Sequence, residues 1–393
     1  MPPIRRGGDT PPLAIEVGPA YEFLMSITTL AEESHREVAE IGPAWFDDVE
    51  RRAGRVLMER LRAFAIGSGD AFIHLIGLAY DAPTPRDAPT FIEHVEGIDA
   101  EALSLQMVGY YDYHYRRTTP PEVMRRAVAG DEEAIAEFLR TTEMWTEWRA
   151  FLEGVLRRGA ASTKRDLVRI LRGWNERVWQ REWTRIAPIL ERDAEAKRLL
   201  ANELPFERFV EVATNGVEFV AHPGIERVVL IPSYVNRPWV SNTEHRGALI
   251  LVYPVADESI VADGDAPPLR LVRLSKALAD EKRLRILRAL AERQMTLMEL
   301  AERFGVPKTT MHHHMVTLRS AGLVTIGAGM KQYRLRHDTL PDVGQLLSGY
   351  LGAASPSPAP GPAGGERQST TAPASTPTRR PTRRRGTKVA SRR

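Results

Sequence analysis

Lys308, Thr309, Thr310, His312 and His313 crowd polar side chains into six consecutive positions. At about 100° per residue, Thr309, His312, His313 and Val316 share one face of a helix, with Lys308 in its first turn. Met311, His314, Met315 and Leu318 share the opposite face, so His314 is expected to pack inward. An apolar inner face and a donor-rich outer face suit a helix laid against base edges, where hydroxyls and imidazoles both give and accept hydrogen bonds. Metal ligation by His312-His313-His314 is disfavoured by the same rotation, because consecutive helical residues diverge where an i, i+4 pair converges. Arg319, further along, either reaches a phosphate or lays its stem over the helix surface.

The flanking sequence holds this helix in place. Asp280 is placed to N-cap a helix with Leu284, Leu287 and Leu290 on one face, and Thr296-Leu297-Met298-Glu299 is a capping box that opens another. Leu297, Leu300, Ala301 and Phe304 fall at i, i+3, i+4 and i+7, a buried stripe that stops at Gly305, where φ can turn positive. Pro307 suits the start of the polar helix, which runs to Gly322. Leu323 to Ile326 and Gln332 to Leu335 then read as two strands around Gly327-Ala328-Gly329, with Lys331 near the hairpin tip. Helix, tight turn, polar helix and hairpin together predict a winged helix-turn-helix.

The segments LADEKRLRILRAL, LMELAERFGVPKTTMHHHMVTLRSAGLV and KQYRL resemble the ArsR-type bacterial transcriptional regulators, over roughly eighty of the 393 residues. The resemblance implies a homodimeric repressor on an inverted-repeat operator of double-stranded DNA, with the recognition helix in the major groove. The family's polar reading positions fall on Lys308, Thr309, His312 and His313. Thr310, Arg319 and Lys331 complete the expected DNA-binding set. Departures from the family concern the signal. Its thiolate metal site lies on the helix before the turn, where this chain has Leu297-Met298-Glu299-Leu300 and where cysteine is absent throughout. Its other metal site pairs Asp and His on the last helix, where only His337, Asp338 and Asp342 stand, without the second His cluster. No metal or cofactor is therefore expected, and the signal is an unknown small molecule or protein.

Length and charge organise the rest. The net charge of +3 conceals a division: residues 270–351 hold 14 Lys/Arg against 7 Asp/Glu, and 352–393 hold 9 against 1, so residues 1–269 carry −12. A polyanion is drawn to the last third and repelled by what precedes it. Zero cysteines fit a reducing interior. No apolar run reaches 18 residues and MPPIRRGGDTPP lacks a signal-peptide core, which predicts a cytoplasmic protein with no membrane contact.

The reading by domain is α+β. Residues 1–12 are expected to be disordered, and 13–256 to form a mainly helical sensor or dimerisation domain. Long helices are expected after Pro43 and from Thr163 to Leu204. A small β meander is expected to close that domain, built on Phe209 to Val212, Glu226 to Ile231 and Ala248 to Val252. Residues 257–269 read as a linker, 270–351 as the winged helix, and 352–393 as a disordered basic tail, either a solubilising extension or, the favoured reading, an arm that adds sequence-independent phosphate affinity.

Other polar clusters have plainer readings. Tyr110 to Tyr115 could line an aromatic pocket but more simply pack, and Trp174, Trp179 and Trp183 suit a core. Gly67-Ser68-Gly69 lacks the strand and lysine of a phosphate loop and reads as a turn. His35, His74, His94 and His222 share no ligand spacing, and no nucleophile-base motif assigns a catalytic residue, so no enzyme is expected. Two functions from different classes follow: a signal-responsive repressor, favoured because Thr and His can discriminate bases, and an alternative constitutive architectural DNA binder whose N-terminal domain only dimerises.

Overall fold

The structure, a computed structural model, describes residues 10–32, 36, 39–141, 146–260, 267–327, 332–336 and 342–352. Lys331, His337, Asp338 and the tail beyond Gly352 lie outside the described residues, as does most of the N-terminal stretch expected to be disordered. Of that stretch, Pro12 is in place, its carbonyl accepting the Val228 amide at 2.9 Å.

Helices dominate the first two hundred residues. In chain order they are α1 (Pro19–Ala31), α2 (Pro43–Ala65), α3 (Leu75–Asp81), α4 (Ala88–Gly97), α5 (Ala100–Met107), α6 (Tyr113–Thr118), α7 (Pro121–Val128), α8 (Glu132–Thr141), α9 (Thr146–Arg158), α10 (Ala160–Trp174), α11 (Gln180–Glu203) and α12 (Phe206–Ala213). Helix α1 is apolar almost all round and is buried on every side, as a central helix must be. A π turn over Asn175–Trp179 joins α10 to α11, so the long helix expected from Thr163 is nearly continuous. Its tryptophans are core: Trp174 and Trp179 are buried and Trp183 packs against the same cluster. No single helix among the described residues is long and apolar enough to cross a membrane.

The expected meander is a different sheet. Strands β1 (Leu13–Ile15), β3 (Arg227–Ser233), β4 (Ser241–His245) and β5 (Ala248–Pro254) lie in the order β1-β3-β5-β4, with β1, β3 and β5 parallel and only β4 antiparallel. Phe209 to Val212, read as a strand, belongs to α12, where Phe206, Phe209, Val210 and Ala213 form one buried face. The sheet is covered on both sides. Val229, Ile231, Ile250 and Val252 enter the helical core, while Val228, Leu230, Leu249 and Leu251 pack against α11 and α12. Burial on both faces explains the unbroken apolar runs VVLI and ALILVY, which an antiparallel meander with one wet face would interrupt. The fold remains α+β.

The segment read as a linker is partly structural. Asp257–Ser259 forms a 3₁₀ turn held by buried Asp193, which accepts from the Ala256 amide at 2.7 Å and the Ser259 hydroxyl at 3.0 Å. The winged helix follows as α13 (Leu269–Leu278), α14 (Glu281–Glu292), α15 (Leu297–Phe304), α16 (Lys308–Ser320) and α17 (Asp342–Tyr350), with β6 (Met295–Thr296), β7 (Val324–Gly327) and β8 (Gln332–Leu335). Ile286, Leu287, Leu290, Leu300, Met311, Met315 and Leu318 form its own apolar core. Leu284, expected on the buried stripe, is instead 47% exposed.

Candidate nucleic-acid interface

The helices of the helix-turn-helix are set by short-range bonds. Asp280 accepts the Arg283 amide at 2.8 Å, which holds its carboxyl below the ordinary range and fixes the start of α14. The capping box closes in both directions: Glu299 N donates to Thr296 Oγ1 at 3.2 Å and Thr296 N donates to Glu299 Oε2 at 2.7 Å. Gly305 takes φ 61°, the left-handed turn into α16. Pro307 occupies the N-cap rather than the first turn and offers no side chain to the free amides above it, leaving them available to an anion.

On α16 the first turn and a half is open. Lys308, Thr309, Thr310 and His312 are exposed, whereas Met311, His314 and Met315 are buried as expected. His313 is half-buried, and its carbonyl accepts the Thr317 hydroxyl at 3.0 Å. Although the surface of His312 is open, neighbouring protein desolvates its imidazole, and with the charges of Arg319, His313 and Lys308 this holds it below its ordinary pKa. It is therefore neutral near pH 7 and offers one donor and one acceptor. Arg319 is half-buried, and burial lowers its pKa; Tyr333 opposes that shift.

Val316 departs from the helical-wheel reading. It does point away from the winged-helix core, yet it is 6% exposed and joins the apolar cluster of the N-terminal body. The second half of this outer face of α16 is thus occupied by the chain's own earlier residues. Asn215, in the left-handed region with φ 53°, directs Nδ2 to the carbonyls of Arg319 at 3.4 Å and Ser320 at 3.2 Å, closing the C-terminal end of α16 from outside. Strand β2 (Val217–Glu218) then lies parallel to β7, Val217 opposite Ile326 and Glu218 opposite Gly327, as a fourth strand of the wing sheet. Glu218 accepts from the Thr325 hydroxyl at 2.9 Å and from Arg334. Glu211 accepts from Arg336 at 2.8 Å. The sequence signal for this contact was the Asn215-Gly216 dipeptide, a strong turn former.

A second contact is buried. Arg237, 2% exposed, and Arg273 of α13 share the carboxylates of Glu40 and Asp257. Arg273 Nη2 lies 2.6 Å from Glu40 Oε2 and 2.8 Å from Asp257 Oδ1, and Arg237 also donates to the Val255 carbonyl at 2.6 Å. Two cations and two anions balance, and the planar guanidinium forks fit between the carboxylates.

The remaining polar clusters are packing. Tyr115 is buried and its hydroxyl accepts from Trp148 Nε1 at 2.6 Å, and Tyr113 stacks on His222 with ring centres 4.4 Å apart. His245 bridges Gln106 at 2.9 Å and Asp81 at 2.7 Å, and His74 meets Thr243 at 3.1 Å. No group of three or more His, Asp or Glu among the described residues is arranged to hold a metal. Gly67 lies in a turn and Gly69 opens a 3₁₀ helix over Gly69–Phe72, its amide donating to Glu32 at 3.0 Å.

A model of a helix-turn-helix domain matches residues 278–326. The HTH-type transcriptional regulator KmtR of Mycobacterium tuberculosis is 41% identical over 54 residues, which are 14% of this chain and 42% of that protein. The uncharacterized HTH-type transcriptional regulator YceK of Bacillus subtilis is 38% identical over 71 residues, 17% of this chain and 71% of that protein. No solved structure matches the chain. With the capping box, the left-handed turn at Gly305 and the wing all in place around that match, the chain belongs to the ArsR-type winged helix-turn-helix transcriptional regulators.

Proposed function

We propose that this protein is a sequence-selective DNA-binding regulator, a repressor, that reads an inverted-repeat operator as a homodimer and responds through its N-terminal domain to a signal not bound by thiolates. The observation that carries this reading is the open first half of α16, where Lys308, Thr309, Thr310 and His312 stand exposed over uncapped helix amides. Lysine and free amides suit phosphate, and threonine and neutral histidine suit base edges. Residues 13–256 serve as the sensor body, residues 257–269 as the connection and residues 270–351 as the reader. The basic residues of 352–393, with Lys331 of the wing, add phosphate contacts of no base preference.

Dimerisation is supported by α13 and α17, which pack together beside a hollow of about 420 Å³ lined by Pro268, Arg270, Leu346 and Tyr350. Leu347, Tyr350 and Leu351 are 45%, 46% and 67% exposed there, an apolar face that a second copy would cover. One reading helix spans only a few base pairs, so two half-sites about one helical turn apart are expected.

Selection of bound duplexes from a random pool, followed by footprinting, tests this reading. An inverted repeat is expected, and a single asymmetric half-site protected by monomer would overturn the dimer. Thr309→Ala or His312→Ala should weaken binding to the selected duplex by about 1 to 3 kcal/mol and leave random DNA nearly unaffected. Equal losses on both would assign these side chains to the backbone.

A further inference from the structure

The contact between the N-terminal body and the wing uses groups that DNA would also use. Arg334 lies in β8 and Arg336 just beyond it, and both are paired with carboxylates of the preceding body, Glu218 and Glu211. Val316 on the outward side of α16 is covered by the same body, and Arg319 beside it is half-buried. A guanidinium held by a carboxylate is not free for a phosphate, and a buried valine cannot lie in a groove.

Resting on the DNA-reading function above, we propose that the segment Glu211–Glu218 is an autoinhibitory latch whose carboxylates hold the wing arginines, closing the reader until DNA or a signal displaces it. The charge division of the chain favours such a contact, since residues 1–269 carry −12 and 270–351 carry +7.

The latch is built to open. Its strand, β2, is two residues long, and the Glu218 and Arg334 side chains are 32% and 50% exposed, so this pair is weak and screened by salt, while the more buried Glu211–Arg336 pair is the firmer hold. Its position is nevertheless specific. Gly216 takes φ 103°, and a Cβ there would come within 3.3 Å of the Val324 carbonyl, so the turn brings the backbone close to β7. The Ile326 amide donates to the Gly216 carbonyl at 3.0 Å, which fixes the register of Val217 opposite Ile326. Latch and phosphate backbone compete for one set of cations, so stabilising the latch weakens DNA binding by linkage.

The absence of cysteine allows a direct test in the full-length chain. Val217→Cys with Ile326→Cys places two thiols on directly opposed residues, within the range a disulfide spans. Duplexes recovered by the wild-type chain from a random pool serve as the probe. The oxidised variant should bind them at least about tenfold more weakly than the same variant reduced by dithiothreitol, which should match wild type. The unlocked variant Glu211→Gln with Glu218→Gln should bind about three- to tenfold more tightly than wild type. If the oxidised and reduced forms bind equally, the segment does not gate the reader and the latch is overturned while DNA reading stands. If neither wild type nor the reduced variant retains any duplex, the DNA-reading function fails and the latch falls with it.

Discussion

The winged helix and the body before it are held by interactions of opposite range. In the winged helix the defining bonds join residues three apart, Asp280 to Arg283 and Thr296 to Glu299. In the body they join residues two hundred apart: Leu13 pairs with Val228, Glu22 accepts the Tyr234 and Val235 amides, and Glu40 meets Arg237. A region of the first kind tolerates the loss of one bond. A region of the second kind stakes its closure on a few buried polar groups, because nothing local replaces them.

The largest expected effect lies at Arg237. Arg237→Ala leaves Glu40 and Asp257 facing Arg273 alone and strips a donor from the Val255 carbonyl, so it should cost about 3 to 5 kcal/mol. All seven tryptophans lie between Trp45 and Trp239, so tryptophan fluorescence during urea unfolding reports the body alone. An unchanged midpoint would erase the contrast between the two regions.

The next concerns Glu22, 1% exposed, whose carboxyl burial pushes up to about 7 although two backbone amides donate to its Oε1. The folded chain keeps that proton from the ordinary value of 4.5 up to about 7, while the unfolded chain loses it. The folded state then binds more protons, so the group makes stability fall as pH rises through that window and level off above it. Glu22→Gln keeps the acceptor and removes the titration. It should flatten the slope and exceed wild type at pH 8 by on the order of 3 kcal/mol. Parallel curves for the two proteins would show that Glu22 is ionised when folded.

The smallest effect sharpens the other side. Thr296→Ala removes one half of the capping box and should cost only about 1 kcal/mol, confined to the winged helix. Amide exchange in α15 should accelerate while the fluorescence transition stays in place. A shift of the tryptophan transition would mean that the two regions unfold as one.

The same difference in range explains what could be read from the chain. Asp280, the capping box, Gly305 and the wing strands carry their signals within a few residues, and the structure has them where those signals point. Phe209 to Val212 looked like a strand because aromatic and β-branched residues favour strands, but its i, i+3, i+4 spacing from Phe206 was the stronger pattern once helix α11 lay beside it. Leu13–Ile15 was invisible as a strand because three residues show no period, and only its partner β3 defines it. At Val316 the helical wheel gave the direction correctly but not what lies there, since the covering surface comes from residues far earlier in the chain. Arg273, Glu40 and Asp257 could not be matched for the same reason.

The parallel pairing of β1 with β3 has a consequence for synthesis. Leu13 leaves the ribosome more than two hundred residues before Val228, which at 5 to 20 residues per second is a wait of about 10 to 40 s. During that interval the apolar Leu13 and Ile15 have no partner strand, whereas the winged helix, synthesised later and built on local contacts, can form as soon as it emerges. The segment around Leu13 thus depends on chaperone cover while it waits. A bulky fusion placed there should lower soluble yield more than the same fusion at the C-terminus.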